Sequence, residues 1–222
     1  NGYNSYMDRD TGSIGGVKNP QQPTRQLLNA TIVLDLLGLA LSAFLGVYFF
    51  CGILAFIAAS KAYSYRGIRL KKYPVLGYLT VVIFQGALVF FIVTHGSSQS
   101  HPLHVSLIGM ITASLLVGGF YPLTQIYQHM QDKEDGVVTL SYQLGYRGTF
   151  VFTAIVYAAS MTCLSLLNSQ KEGLYKFGLM QIFLLPVLVY FMWWFLKVYK
   201  NTAEANFSNT MRMNIIASLC TN

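Results

Sequence analysis

Residues 4–10 carry Asp8 and Asp10, and residues 125–135 carry Asp132, Glu134 and Asp135. Together these are five of the eight acidic residues in a chain that otherwise reads as membrane-spanning helix. Carboxylates are the hard oxygen ligands that Mg2+ prefers, and Mg2+ is usually held by one or two of them together with the phosphate oxygens of a substrate. Paired acidic clusters beside a lipid phase therefore point to divalent metal and diphosphate chemistry. On a helix turning about 100° per residue, Asn4 and Asp8 share a face, about 40° apart. Asp10 points about 160° away from Asp8 unless the helix ends before it. Gln125, Gln128, His129, Asp132 and Asp135 follow i, i+3, i+4 spacing, which predicts a polar stripe running off the end of a membrane helix with Glu134 on its other side. Pro122, one turn earlier, removes a backbone hydrogen bond and predicts a kink.

A third element, residues 63–74, supplies charge of the opposite sign. It holds Tyr63, Tyr65, Arg66, Arg69, Lys71 and Lys72 directly after an apolar helix. Basic residues and tyrosines in that position are common lipid-headgroup contacts. The other reading is a diphosphate clamp, in which the planar fork of arginine and the point charge of lysine stabilise phosphate oxygens that gain charge as a leaving group departs.

The elements that must position these groups are transmembrane helices. Of 222 residues 54% are hydrophobic and only 10% charged, outside the range of an ordinary soluble domain and consistent with one membrane domain over residues 1–222. Apolar stretches run over residues 27–45, 47–59, 75–94, 105–121, 150–167 and 177–196. Most approach the roughly 20 residues that a crossing requires. A continuous helix over the first two would be about 50 Å long against a hydrocarbon core of about 30 Å, so a helical hairpin turning near Gly46 is expected. Six crossings then place 13 of the 15 Lys and Arg residues on one side, leaving Lys171 and Lys176 on the other. The positive-inside rule makes the charged side cytoplasmic and puts both acidic stretches there. The net charge of +7 is thus a matter of membrane orientation rather than nucleic-acid binding.

Several residues invite functions that their surroundings do not support. Cys51, Cys163 and Cys220 are far apart in apolar settings and read as packing residues. His95, His101 and His104 lack the spacing and partners of a zinc site and read as an ordinary extracytoplasmic loop. Asp35 lies inside the first apolar segment, where a structural bond to a neighbouring helix is expected, and Gln85 and Gln181 receive the same reading. Trp193, Trp194 and Tyr199 are expected as interface anchors, and residues 206–214 as a cytoplasmic connector whose Arg212 contacts headgroups.

The three polar elements occur in the order and spacing of the UbiA superfamily of intramembrane prenyltransferases, which the chain resembles over nearly its whole length. In that family an NxxxDxxxD motif follows the second helix, a Tyr-and-basic loop the fourth, and a second Asp-rich motif the sixth. The matching residues are Asn4, Asp8 and Gly12; then Tyr65, Arg69 and Lys71; then Gln125, Gln128, Asp132 and Asp135. The most specific match is the phrase from Tyr121 to Gln128 with Asp132 and residues 136–140 behind it. Two departures stand out. Gly12 replaces the usual second Asp of the first motif, and Val137 stands where many relatives have Asp; Asp10 and Asp135 are the carboxylates expected to substitute.

The resemblance implies an all-α bundle of nine helices, of which this chain would supply the third to the eighth, two preceding Asn1 and most of a ninth following Asn214. It implies Mg2+-dependent transfer of a prenyl group from a prenyl diphosphate to an aromatic or other lipophilic acceptor. Asp8, Asp132, Asp135 and Asp10 would hold metal, while Asn4, Gln125 and Gln128 would orient ligands. Tyr65, Arg69 and Lys71 would serve the leaving diphosphate. The expected location is the cell inner membrane, with the site facing the cytoplasm and membrane lipid around it. A catalytically silent isoprenoid-binding relative and a small transporter using Asp35 are the alternatives.

Overall fold

The computed structural model describes residues 2–9, 12–169 and 171–221. The described residues are helical nearly throughout. A short helix α1 (Gly2–Asp8) precedes α2 (Arg25–Ser42), α3 (Val47–Ser64), α4 (Pro74–Val81), α5 (Val89–Ser97), α6 (Leu107–Thr124), α7 (His129–Glu134), α8 (Leu140–Leu167), α9 (Lys171–Lys200) and α10 (Phe207–Thr221). A π-helical segment, Val82–Leu88, joins α4 to α5, so Pro74–Ser97 forms one rod. Six helices among the described residues are long and apolar enough to cross a membrane: Arg25–Leu45, Val47–Ser64, Pro74–Ser97, Leu107–Glu134, Leu140–Leu167 and Glu172–Lys200. The all-α, six-span bundle expected from the hydrophobic stretches is the observed fold.

Gly46 is where the first long apolar run reverses. Its φ of 107° lies in the left-handed region, which glycine reaches without the clash a Cβ would bring. The helix ahead of it tightens into a 3-10 turn over Ala43–Leu45, and α3 starts at the next residue. Asp35 of α2 is paired with Lys61 of α3, Nζ to Oδ2 at 2.6 Å, so the intramembrane carboxylate does bond a neighbouring helix. Lys61 also lies 4.4 Å from the centre of the Tyr3 ring, which docks α1 on the same helix end.

Not every polar expectation survives. Gln181 donates to Met161 Sδ at 3.5 Å, but Gln85 is exposed on the π-helical segment rather than turned toward a neighbour. Trp194 is fully buried and donates its indole N–H to Glu204 O at 2.8 Å. It is a core residue, while Trp193, beneath Lys197 at 4.2 Å, keeps the surface position expected of an anchor. Around Trp194 a cluster of Leu123, Ile126, Phe150, Phe191, Val198 and Met213 joins α6, α8, α9 and α10. The stretch read as a connector over 206–214 is largely helix. Asn206 Oδ1 accepts from Asn209 N at 3.0 Å and so satisfies a free donor at the start of α10, the cap that this residue type favours. His95 is buried, its Nδ1 3.1 Å from Pro102 O, and His101 Nδ1 is 3.0 Å from His95 O, so the histidine loop is held by its own backbone.

The Asp35 pair generates a prediction. Removing one partner leaves the other charge in a partly buried position, so Asp35→Ala should lower stability by about 1–3 kcal/mol, and Asp35→Leu with Lys61→Met should recover most of that loss. Thermal unfolding in detergent reads both variants. Loss of activity in Asp35→Ala at unchanged stability would instead return Asp35 to the functional residues.

Candidate active site

At the charged end of the bundle the three polar elements meet. Residues 2–8 form α1, as the Asn4 to Asp8 spacing predicts, and the helix stops there because Arg9 turns to a φ of 51°. Arg66 takes over the carbonyls released at that end: its Nε donates to Met7 O at 2.8 Å and its Nη2 to Asp8 O at 3.3 Å. The helical row therefore never reaches Gly12. A Cβ on Gly12 would come within 2.5 Å of Gln131 Oε1, so this position accommodates a glutamine from the second stretch. Gln128 Nε2 donates to Ser13 O at 3.3 Å, a second tie between the two stretches. Asp10 lies outside the described residues.

The second stretch is not one continuous stripe. Pro122 sits inside the end of α6, the α-helix stops at Thr124, and a 3-10 turn over Ile126–Gln128 leads into α7. The missing proline N–H falls on the turn before it, inside α6, and the break itself is carried by tighter bonds, Gln125 N to Pro122 O at 3.2 Å and Gln128 N to Gln125 O at 2.9 Å. The break redirects His129. Its Nε2 lies 2.7 Å from Ser141 Oγ, Ser141 Oγ is 3.1 Å from Thr149 Oγ1, and the imidazole stacks on Tyr146 at 4.8 Å. His129 thus belongs to a buried chain with α8, not to the acidic stripe. Its partner segment lies outside the apolar run over residues 150–167: α8 begins at Leu140 and kinks at Gly145 with a φ of 68°.

The basic segment closes the site. Tyr65 ends α3 and its carbonyl accepts from Arg69 N at 2.7 Å, holding Arg69 at a φ of 51°. A non-glycine residue stays in that region only where its surroundings fix it, at about 1–3 kcal/mol. The guanidinium of Arg69 then reaches Asp135, pairing with the carboxylate and donating to the carbonyl at 3.0 Å. Arg66 Nη1 lies 3.6 Å from the same carboxylate. Lys71 follows in a 3-10 turn that settles against α4, because Gly77 offers no side chain: a Cβ there would be 3.1 Å from Leu70 O and Lys71 Cα. So buried, Lys71 Nζ meets Asp8 Oδ1 at 2.8 Å, the two side chains being only 8% and 10% exposed.

Tyr65 itself is exposed, its ring folded over Gly67. Tyr63, two residues earlier on α3, is the tyrosine that turns inward. Its hydroxyl contacts that of Tyr121, to which Gln125 Nε2 donates at 3.0 Å. Asp8 and Asp132, one from each acidic stretch, are within electrostatic reach of these two hydroxyls. Tyr63, Lys71, Tyr121 and Gln125 line one small cavity. Val137 is fully buried behind Gly136, its N–H donating to Asp132 O at 2.7 Å, so the valine packs the turn that carries Asp132 and Asp135.

Mg2+ suits this donor set. The oxygens of Asn4 and Asp8 are hard ligands, and Asn4 Oδ1 is buried without a hydrogen-bond partner, an acceptor left for something else to satisfy. Among the described residues no group of three or more His, Cys, Asp and Glu comes together as a self-sufficient metal cage. Magnesium held by one or two carboxylates and phosphate oxygens needs no such cage. Beyond the charged end, a chamber of about 1120 Å³ lies among α6, α8, α9 and α10, lined by Phe120, Tyr157, Phe183, Val187 and Phe191 among others. It shares α6 with the site, Phe120 facing the chamber next to Tyr121 of the hydroxyl pair.

With this geometry in place, comparison with known proteins gives one family: the model of the UbiA prenyltransferase family matches residues 1–216. Neither the curated proteins nor the solved structures yield a match.

The buried position of His129 can be tested. His129→Ala should lower stability by about 2–4 kcal/mol through the lost ring and the unpaired Ser141 hydroxyl, with divalent-metal affinity unchanged. Unfolding curves and a metal titration on the same sample separate this from a ligand role, which would give the reverse pattern.

Proposed function

We propose that this chain, which belongs to the UbiA prenyltransferase family, carries out Mg2+-dependent transfer of a prenyl group from a prenyl diphosphate to an aromatic or other lipophilic acceptor inside the membrane. The observation that carries the reading is the meeting of Asn4 and Asp8, of Arg69 and Lys71, and of Gln125, Gln128 and Asp135 from three separate polar segments at one end of the bundle. Asp8 and Asp132, with Asp135 beside them, would hold Mg2+, and Asn4 would add a neutral oxygen. Bound Mg2+ supplies divalent charge against the diphosphate oxygens.

The residues of the chain divide the remaining work. Lys71 and Arg69 face the leaving diphosphate and stabilise the charge it gains as the C1–O bond breaks and the electron pair departs with it. Their burial matters, since a charge fixed in a site with little water acts more strongly than one in solution. Gln125 and Gln128, each anchored by a hydrogen bond, orient the polar end of the substrate. The acceptor donates an electron pair to C1, and the proton lost from the attacking position is taken up by the released diphosphate. The lipophilic groups lie within the membrane-embedded bundle, where little water reaches the electron-poor carbon. Tyr63 and Tyr121 stand between the charged end and the bundle interior. Tyr65, exposed at the turn, acts through its carbonyl, which holds Arg69 in place.

Orientation follows from charge. The 13 of 15 basic residues at segment ends on one side support an orientation with the site toward the cytoplasm. Asp35, on which a transport pathway would depend, is engaged with Lys61, and transporter sites lie near the bilayer midplane rather than at helix ends.

Membranes containing the full-length protein, labelled prenyl diphosphates and candidate acceptors provide the test. Diphosphate release should require Mg2+, and Asp8→Asn or Asp132→Asn should lower it about 10²–10³-fold, as should Arg69→Gln. A prenyl diphosphate that binds with Mg2+ but is never turned over would identify a silent isoprenoid-binding relative.

A further inference from the structure

The groups assigned to metal and those assigned to diphosphate hold one another in this structure. Lys71 Nζ is 2.8 Å from Asp8 Oδ1, and at 8% and 10% exposure neither side chain has water to turn to. Arg69 grips the carboxylate and carbonyl of Asp135. Arg66 spans both stretches, on the Met7 and Asp8 carbonyls with one side of its guanidinium and 3.6 Å from Asp135 with another. One carboxylate from each of two acidic segments more than a hundred residues apart is thereby paired with one basic loop.

We propose that these pairs are internal counter-ions of the site, and that metal and diphosphate are admitted together by an exchange of partners. The inference rests on the prenyl-diphosphate reading above and adds how that substrate is admitted. A divalent cation arriving alone at Asp8 takes the carboxylate from Lys71 and leaves a buried ammonium facing a second positive charge. A diphosphate arriving alone takes Lys71 and leaves a buried carboxylate facing an anion. Breaking a buried pair by removing one partner is strongly destabilising, because the remaining charge is uncompensated. When both arrive, the carboxylates turn to the metal and the cations to the diphosphate, and every charge keeps a partner. Each ligand therefore raises the affinity for the other, the reciprocal coupling that linkage requires. Free Mg2+, abundant in a cell, does not occupy the site by itself, and neither does free diphosphate.

The expected signs differ from those of a simple clamp, in which Lys71 affects diphosphate alone and Asp8 affects metal alone. The full chain in lipid nanodiscs is titrated with Mn2+, a spectroscopic substitute for Mg2+, with no diphosphate present. Lys71→Met should bind Mn2+ about 10-fold or more tightly than the unaltered protein, and Lys71→Arg should resemble the unaltered protein, the coupling being of usual allosteric size. In the reciprocal arm, inorganic diphosphate is titrated in the presence of EDTA, and Asp8→Asn should bind it about 10-fold more tightly. Because the two arms use different variants, poor folding of one leaves the other decisive. Metal affinity unchanged or lowered in Lys71→Met, or diphosphate affinity unchanged in Asp8→Asn, would overturn the exchange even if prenyl turnover were found. Both gains in a protein without prenyl turnover would retain the exchange and overturn the assigned reaction.

Discussion

A buried ammonium and a buried carboxylate tolerate their surroundings only in contact with each other, and the charged end of this bundle is arranged around that requirement. Lys71 and Asp8 come from segments that share no secondary structure, and each is carried inward by a local feature. Gly77 lets the Lys71 turn settle onto α4, and the early stop of α1 at Asp8 turns the last residue of that helix toward the bundle. Were either charge left alone, its burial would cost several kcal/mol even after relaxation of its surroundings. The same logic extends outward with diminishing burial, through Arg69 on Asp135 and the more exposed Arg66. The largest buried side chains pack away from these charges, where Phe150 meets the edge of Trp194 at 4.9 Å and joins α8 to α9.

Much of the fold was legible because the bilayer is a demanding solvent. A stretch long enough to cross it must be helical and apolar, so the six spans and the reversal at Gly46 follow from length alone. The pairing of the polar segments was also legible, since Arg, Lys and Asp at helix ends on one side have few other places to be. Where the sequence misled, the reason was a shift of one or two residues. Tyr63 and Tyr65 differ by about 200° around a helix, and only the end of α3 at Ser64 decides which is inside. Trp193 and Trp194 differ by about 100°, enough to separate an exposed ring beside Lys197 from a fully buried one.

The acidic stripe failed for a different reason. Its i, i+3, i+4 spacing presupposes a regular helix, and α6 ends at Thr124 with a 3-10 turn following over Ile126–Gln128. His129, well spaced for the stripe, is then free to follow the stronger attraction of a buried hydroxyl and an aromatic face. No periodicity could have shown that residue 141 would be waiting, because the short helix that carries it stands before a left-handed Gly145 and outside any apolar run. Gly12 shows the converse case. A residue absent from a motif reads as a deficit in the sequence, yet in the structure the space is taken up by Gln131.

The reversal at Gly46 also bears on how the chain enters a membrane. Two spans joined by a single residue leave no hydrophilic loop to be moved across the bilayer, so α2 and α3 can insert as one unit. An aspartate in the middle of a lone helix would oppose insertion by about 2.5–3.5 kcal/mol. Delivered within a hairpin, Asp35 arrives with Lys61 already against it at 2.6 Å, and the pair crosses the interface as a neutral dipole. A turn that is economical in the finished bundle thus also allows the two spans to enter the membrane together.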